Sequence, residues 1–115
     1  MNSSGIVSTN GQNLYCEVHG EGDPLVLIMG IGYDSSLWKL HQVPALSRQF
    51  QVIIFDNRDA GRSSHANTPY VIADMANDVV GMLDALGIER AHVVGLSMGA
   101  MIAQELALHH PQRVD

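Results

Sequence analysis

The clearest candidate for chemistry in this sequence is Ser97, which stands between Gly95 and Gly99 in the pattern G-x-S-x-G. A short β-branched run precedes it and a long apolar segment follows it, which predicts a buried strand that turns sharply into a buried helix. A side chain at such a corner projects free of both elements, and the two glycines let the backbones approach each other. Unpaired N–H groups at the start of the helix also favour negative charge beside this serine.

A serine hydroxyl is a poor nucleophile until a base takes its proton, and that base needs a carboxylate to orient it. Among the six histidines, His92 lies five residues before Ser97 on the predicted strand, roughly 16 Å away. His109 and His110 lie about twelve residues along the predicted helix, roughly 18 Å away. Only His65 has a loop that leaves the same edge of the sheet, and a solvent-facing loop histidine is the alternative there. Spacing alone therefore assigns no histidine as the base.

Two buried strands are predicted ahead of this corner, at residues 25–29 and 52–55, because both are continuous apolar runs. The first is followed by the loop Gly30-Ile31-Gly32, and the second by a long polar loop that runs from residue 56 to residue 69. At the N-terminus, Asn10-Gly11 separates two apolar runs and predicts a tight β-hairpin.

Two helices are predicted between these strands. Ser35 or Ser36 can cap a helix that runs to about Arg48, with Pro44 as the candidate break. Apolar residues spaced three or four apart predict an amphipathic helix over residues 71–86. Its polar face is expected to carry Asp74, Asn77, Asp78 and Asp84.

The element order β-β-β-α-β-α-β-α predicts an α/β fold, in which a hairpin precedes parallel strands with helices on both faces. A chain of 115 residues is enough for one small domain. The next parallel strand should begin after the last helix, where the sequence stops. We therefore expect residues 1–115 to form a single incomplete domain, with a bare apolar edge on strand 91–96.

Composition excludes several classes of protein. Hydrophobic residues make up 46% of the chain, which is typical of a globular domain, and the net charge of −6 argues against nucleic acid and anionic membrane surfaces. The single Cys16 excludes an internal disulfide and fits a reducing compartment. The polar first residues and short apolar runs predict neither a signal peptide nor a membrane span, so we expect a cytoplasmic protein. No spacing is typical of a metal site.

Together these motifs resemble the α/β-hydrolase superfamily, from about Leu14 to Val114. Three features carry the resemblance: the elbow at 95–99, the glycine loop Met29-Gly30-Ile31-Gly32, and the segment at 56–63, Asp-Asn-Arg-Asp-Ala-Gly-Arg-Ser. Within the superfamily the chain looks most like the cofactor-free haloperoxidase-like and methylesterase-like carboxylic-ester hydrolases.

The resemblance implies that Ser97 is the nucleophile of an enzyme that hydrolyses esters or lactones without a cofactor. The backbone N–H groups of Met98 and Ile31 would hold the oxyanion, each contributing a few kcal/mol. The family order of serine, acid and histidine places both partners after residue 115. We therefore expect this chain alone to be inactive or nearly so, and a complementary C-terminal segment or chain to supply the acid and the histidine.

The sequence departs from the family pattern at two positions. Met29 stands where the family often has histidine, which predicts a more apolar rim beside the glycine loop. Asp59 replaces a commoner glycine, which leaves its turn geometry open. Asp56 and Arg58 are expected to brace their loop, with an ion pair as one way to do so, rather than to take part in the chemistry.

Two alternatives belong to other classes of protein. Gly30-x-Gly32-x-x-Ser35 follows a strand and opens a helix, and Asp56 ends the next strand, as in a dinucleotide-binding domain. That alternative leaves the elbow at 95–99 unexplained. The other alternative is a fragment or binding module that keeps the hydrolase fold without catalysis.

Overall fold

A computed structural model describes residues 2–115 of the chain. The strands are β1 (Ser3–Thr9), β2 (Gln12–His19), β3 (Asp23–Ile28), β4 (Phe50–Phe55) and β5 (His92–Gly95). The α-helices are α1 (Gln42–Leu46), α2 (Ile72–Ala85) and α3 (Met98–His109), and single 3-10 turns lie at Ser35–Lys39 and Pro111–Arg113. No helix in this part of the chain has the length and apolar character needed to cross a membrane.

The five strands form one mixed sheet in the order β1-β2-β4-β3-β5. The hairpin strands β1 and β2 are antiparallel, and β2 pairs antiparallel with β4, whereas β3 is parallel to both β4 and β5. Asn10 and Gly11 both have positive φ, 51° and 76°, as a two-residue hairpin turn requires. The predicted hairpin, parallel strands and crossover helices are therefore confirmed.

Helices cover both faces of this sheet, as the continuous apolar strands predict. On one face α2 and α3 pack against Val26 and Ile28 of β3 and against Ile53 and Phe55 of β4. On the other face the 3-10 turn and α1 pack against the alternate residues of the same two strands. Because successive side chains point to opposite faces, each central strand contributes to both cores.

The helix expected to run from Ser35 to Arg48 is two short segments instead. The carboxylate of Asp34 caps the first by accepting a hydrogen bond from the Ser36 N–H at 2.9 Å, so neither serine is the cap. The break falls at residues 40–41, ahead of Pro44. Proline is tolerated within the first turn of α1 because N–H groups there have no partner within the helix.

Strand β5 lies at the edge of the described sheet, and Val94 and Leu96 are exposed along it. The edge is paired at its beginning, because Ala91 forms a parallel bridge with Val114. Its N–H donates to the Arg113 carbonyl at 3.0 Å, and its carbonyl accepts from the N–H of Asp115 at 2.9 Å. The expected bare edge is therefore found beyond residue 91, and a single parallel bridge to Val114 covers its beginning.

Candidate active site

Ser97 occupies the corner between β5 and α3, with its side chain exposed to solvent. Its φ of 57° and ψ of −118° lie in a region that residues other than glycine rarely adopt, at a cost of about 1–3 kcal/mol. Backbone hydrogen bonds hold this conformation. The Leu96 N–H donates to the Ile28 carbonyl at 3.0 Å, and the Ala100 N–H donates to the Ser97 carbonyl at 2.9 Å.

The glycines of the elbow allow backbone contacts that a side chain would prevent. A Cβ atom on Gly95 would lie 2.1 Å from the Gly99 carbonyl oxygen, and one on Gly99 would lie 2.1 Å from the Ile28 carbonyl oxygen. Neither obstacle is a flexible side chain, so neither can move aside. The close approach predicted for strand and helix backbones is therefore what the two glycines make possible.

The glycine loop lies directly against Ser97. A Cβ atom on Gly30 would stand 3.1 Å from the Leu96 carbonyl oxygen and 3.2 Å from the Ser97 Cβ atom, so this glycine too lies close to the elbow. Gly32 has open space around it but a φ of +81°, so glycine serves there for its conformation.

The two backbone N–H groups predicted to hold the oxyanion are those of Met98 and Ile31. Met98 is the first residue of α3, so its N–H has no partner within the helix. No acceptor among residues 2–115 takes the N–H of Ile31, whose side chain is also exposed. Ile31 and Met98 both line one cleft of about 270 Å³, which extends from the glycine loop to the first turn of α2.

The loop after β4 is held by the buried carboxylate of Asp56. One of its oxygens accepts from the Ser35 N–H at 2.8 Å, and the other accepts from the Arg62 N–H at 2.9 Å. Its backbone carbonyl accepts from the Ser63 hydroxyl at 2.5 Å. Asp56 therefore braces the loop, as expected, but does so without Arg58. A carboxylate occupied in this way is poorly suited to bind the ribose of a dinucleotide.

Arg58 pairs with Asp78 of α2 through two hydrogen bonds of 2.7 Å. Both residues are buried, at 7% and 2% exposure, so the expectation that Asp78 lies on the polar face of its helix is wrong. The hydrogen bonds to Asp78 raise the pKa of Arg58 further above its usual value. Helical spacing could have predicted the burial of Asp78, because it follows Met75 by three residues and precedes Met82 by four, and residues at these spacings share one face of a helix.

Asp59 has a φ of 67°, so it occupies a left-handed position where the family commonly has glycine. Its carboxylate accepts from the Ala66 N–H at 2.9 Å and from the Tyr70 hydroxyl at 2.6 Å. The hydrogen bond from Tyr70 lowers the pKa of Asp59, and the same bond raises the pKa of Tyr70. The tyrosine ring also stacks on the Arg58 guanidinium, 4.6 Å from the ring centre.

Met29 does not form an apolar rim, because it is buried at 1% exposure in the core beneath the loop. Met29 directly follows β3, and its side chain points to the same face of the sheet as Leu25 and Leu27, which are also buried there. Its backbone carbonyl accepts from the Asn57 side-chain amide at 3.0 Å. Met29 therefore ties the glycine loop to the loop after β4.

None of the histidines in residues 2–115 forms a hydrogen bond with Ser97. The side chain of His65 is 86% exposed and lies 3.4 Å from the Asp59 carboxylate, as a solvent-facing loop residue does. His92 lies 3.8 Å from the Asp115 carboxylate, and His110 contacts the Asn77 side chain at 3.1 Å. Within the same residues no group of three or more histidine, cysteine or acidic side chains could hold a metal ion.

Glu17 of β2 is a buried carboxylate that the sequence did not single out. It accepts from the Tyr15 hydroxyl at 2.7 Å, contacts His19 Nε2 at 2.7 Å, and lies 3.4 Å from Lys39 Nζ. Burial raises the pKa of Glu17, but these hydrogen bonds and the lysine charge outweigh it, so the pKa lies below its usual value. The alternation of apolar and polar residues along β2 does not predict that the charged side chain of Glu17 is buried.

Comparisons with known proteins agree with this fold. The profile of the α/β-hydrolase fold family matches residues 23–115. A protein of Azorhizobium caulinodans named as a carbamate hydrolase, RutD, is 43% identical over 102 residues, which cover 89% of this chain and 38% of that protein. A Mycobacterium tuberculosis protein named as a non-heme bromoperoxidase, BpoC, is 42% identical over 89% of this chain and 39% of its own.

A solved structure is similar to this chain as well. The enol-lactonase of Burkholderia xenovorans LB400 superposes with a TM-score of 0.93 at 36% identity, over 96% of this chain and 44% of the lactonase. The chain thus spans about two fifths of the length of the relatives that it matches.

Proposed function

The chain belongs to the α/β-hydrolase family, and on that premise we propose that it carries the nucleophile and the oxyanion site of a serine hydrolase of carboxylic esters or lactones. The observation that carries the proposal is the corner at Ser97, where a strained backbone holds an exposed hydroxyl against the glycine loop. Strain of this kind persists only where surrounding contacts impose it, and it is concentrated at functional sites.

In the proposed reaction the Ser97 Oγ attacks the carbonyl carbon of the substrate while a base takes the hydroxyl proton. The carbonyl oxygen becomes negatively charged, and the N–H groups of Met98 and Ile31 donate to it. The leaving alcohol takes a proton as the tetrahedral intermediate collapses, and water then releases the acyl group from the serine. Each preorganised donor of this kind contributes a few kcal/mol to the lowering of the barrier.

The base and its acid are proposed to come from a complementary C-terminal segment or chain. No histidine among the described residues contacts Ser97, and the chain spans only about two fifths of its relatives. Val94 and Leu96 at the β5 edge are exposed apolar residues, and so are Met101 and Leu108 of α3. The bridge at Val114 sets the direction of a parallel strand that would cover this surface.

Two of the relatives carry names that support hydrolysis at a carbonyl carbon. One is named as a carbamate hydrolase and another is an enol-lactonase, so both names describe acyl compounds. A dinucleotide-binding domain is disfavoured, because the acid that would bind ribose, Asp56, is buried with both oxygens occupied. A non-catalytic module with the same fold would have an unreactive Ser97, so the reactivity of this serine distinguishes the two candidate functions.

A fluorophosphonate probe and p-nitrophenyl ester turnover test this proposal. Two proteins are compared. One is residues 1–115 alone, and the other is a fusion of residues 1–115 to the part of the Azorhizobium caulinodans relative that lies outside the matched region. We expect labelling and turnover in the fusion, their loss in Ser97→Ala, and little or no turnover by residues 1–115 alone. Ser4→Ala, at an exposed serine of β1, is the matched control.

Two results would contradict the proposal. Labelling of the fusion that persists in Ser97→Ala would remove the nucleophile from this site. Full ester turnover by residues 1–115 alone would show that no complementary segment is needed.

A further inference from the structure

Ile31, whose N–H is a proposed oxyanion donor, lies in a segment of the backbone with little stiffness of its own. Gly30 precedes it and Gly32 follows it with a φ of +81°, and glycine has the widest choice of backbone conformations. Residues 31–33 are also exposed to solvent. An N–H group of this kind lowers a barrier because it already points at the oxygen before the reaction, so contacts from outside the segment have to hold it.

The loop after β4 holds both ends of this segment through two adjacent residues. The Asn57 side-chain amide donates to the Met29 carbonyl at 3.0 Å. The Asp56 carboxylate accepts from the Ser35 N–H at 2.8 Å. All four residues are at most 3% exposed, so both hydrogen bonds are shielded from water. Residues 30–34 therefore run between two points that are fixed on one neighbouring loop.

The contact made by Asn57 is the one that bears on the direction of the Ile31 N–H. The Met29 carbonyl and the Ile31 N–H belong to consecutive peptide groups, which are planar and are joined through the Cα atom of Gly30. Once the first plane is fixed, only the φ and ψ angles of Gly30 aim the second. Gly30 is itself packed against the elbow, because a Cβ atom there would lie 3.1 Å from the Leu96 carbonyl oxygen. The Asn57 amide and the elbow together therefore restrain the peptide group that carries the donor.

We propose that Asn57 is a positioning residue for the reaction, whose side-chain amide orders the glycine loop and so aims the Ile31 N–H at the substrate oxygen. The inference rests on the proposed function, because this N–H matters to catalysis only if Ser97 attacks a carbonyl carbon. Asn57 also lines the cleft beside the serine, so direct contact with substrate is the alternative that an experiment has to separate. Loss of uniform substrate binding raises KM, whereas loss of an interaction made only in the transition state lowers kcat.

Kinetics of the active fusion separate these two roles. Asn57→Leu keeps a branched side chain but cannot donate to the Met29 carbonyl. We expect its kcat for p-nitrophenyl butyrate to fall about a hundredfold, while KM changes by no more than about twofold. Asn57→Gln keeps an amide donor and should recover part of the lost kcat. Asn67→Leu, at an exposed asparagine of the same loop, is the matched control and should keep the original kcat.

The order of the glycine loop can be measured without turnover. In residues 1–115 labelled with ¹⁵N at isoleucine, relaxation gives an order parameter for each isoleucine N–H, and we expect Ile31 to be close to the value of about 0.85 that rigid backbone gives. Asn57→Leu and Asn57→Ala should both lower it to about 0.6 or less, while Ile102 of α3 stays near 0.85. Because Asn57→Ala adds no bulk, it keeps the test decisive if leucine disturbs the fold.

Three results would overturn the inference. One is an Ile31 order parameter that the Asn57 variants leave unchanged, and another is a kcat that stays the same although that order is lost. The third is an effect of Asn57→Leu on KM rather than on kcat, which would make Asn57 a substrate-binding residue. The proposed function fails separately: if the variants disorder Ile31 as expected but Ser97 of the fusion takes no fluorophosphonate, the hydrolase function is wrong, while Asn57 still orders the loop.

Discussion

The corner at Ser97 and the loop after β4 lie side by side in this fold but are held in different ways. Backbone atoms packed around Gly95 and Gly99 fix the corner. The loop is fixed instead by buried side chains, with Asp56 binding two backbone N–H groups and Arg58 binding Asp78 of α2. A site built on backbone contacts needs small residues close together in sequence, whereas a site built on side chains needs partners from distant segments.

The largest expected effect breaks the side-chain brace. Arg58→Met leaves the Asp78 carboxylate buried without its cationic partner, which should lower the free energy of unfolding by about 3–5 kcal/mol. Urea denaturation measures the loss. The control is Arg90→Met, whose pair with Asp115 is solvent-exposed and should contribute about 1 kcal/mol or less. Equal losses in the two variants would mean that the buried pair is not what holds the loop.

Crowding the backbone of the corner should have the next largest effect. Gly99→Ala places a Cβ atom 2.1 Å from the Ile28 carbonyl oxygen, so β3 and α3 must separate, and unfolding should become easier by about 3 kcal/mol. Gly5→Ala is the matched control, because a Cβ atom there meets nothing within 4 Å. A thermal melt in which both variants lose the same stability would argue against close packing at the elbow.

Glu17 tests whether the side-chain region depends on charge. Glu17→Gln should cost about 2 kcal/mol at pH 7, because hydrogen bonds to an ionised group are lost. The folded-state pKa of Glu17 lies below its ordinary value of 4.5, so the stabilisation is present above that pH and disappears as the pH falls through the folded value. Denaturation of both proteins from pH 7 to pH 3 should show their stabilities converging below about pH 4.5.

A result in which the gap between the two proteins stays constant with pH would mean that packing, rather than ionisation, gives Glu17 its effect. Glu89→Gln provides the control, because this exposed glutamate should change stability by no more than about 0.5 kcal/mol at any pH.

The smallest expected effect is a gain, rather than a loss, in the free energy of unfolding. Ser97→Gly relieves the strain of a positive φ but adds the flexibility of glycine to the unfolded chain, so the net gain should be about 1 kcal/mol. Ser97→Ala keeps the Cβ atom and should gain nothing, although both variants lose the hydroxyl. If the alanine variant gains as much stability as the glycine variant in urea denaturation, the gain does not come from relief of backbone strain at residue 97.

The same difference between the two regions explains which predictions from sequence were correct. The elbow, the hairpin turn at Asn10-Gly11 and helix α2 depend on residues near one another in the chain, and each is confirmed within a residue or two. Asp78 lies on the buried face of α2 rather than on the predicted polar face, because its partner Arg58 lies twenty residues away and the polarity of a side chain does not reveal a buried partner. Met29 is buried rather than on the predicted rim for a similar reason, since a resemblance gives the residue type but not its burial.

The order of elements, the glycines that allow the sharp corner and the identity of the exposed serine follow from the sequence alone, because short-range sterics and apolar periodicity decide them. Only the tertiary structure revealed that Glu17 and Asp78 are buried, that the Met29 carbonyl joins two loops and that Met75 lines a cleft. Those features require side chains from separate segments to meet, and the chain brings them together only when the sheet and its helices pack.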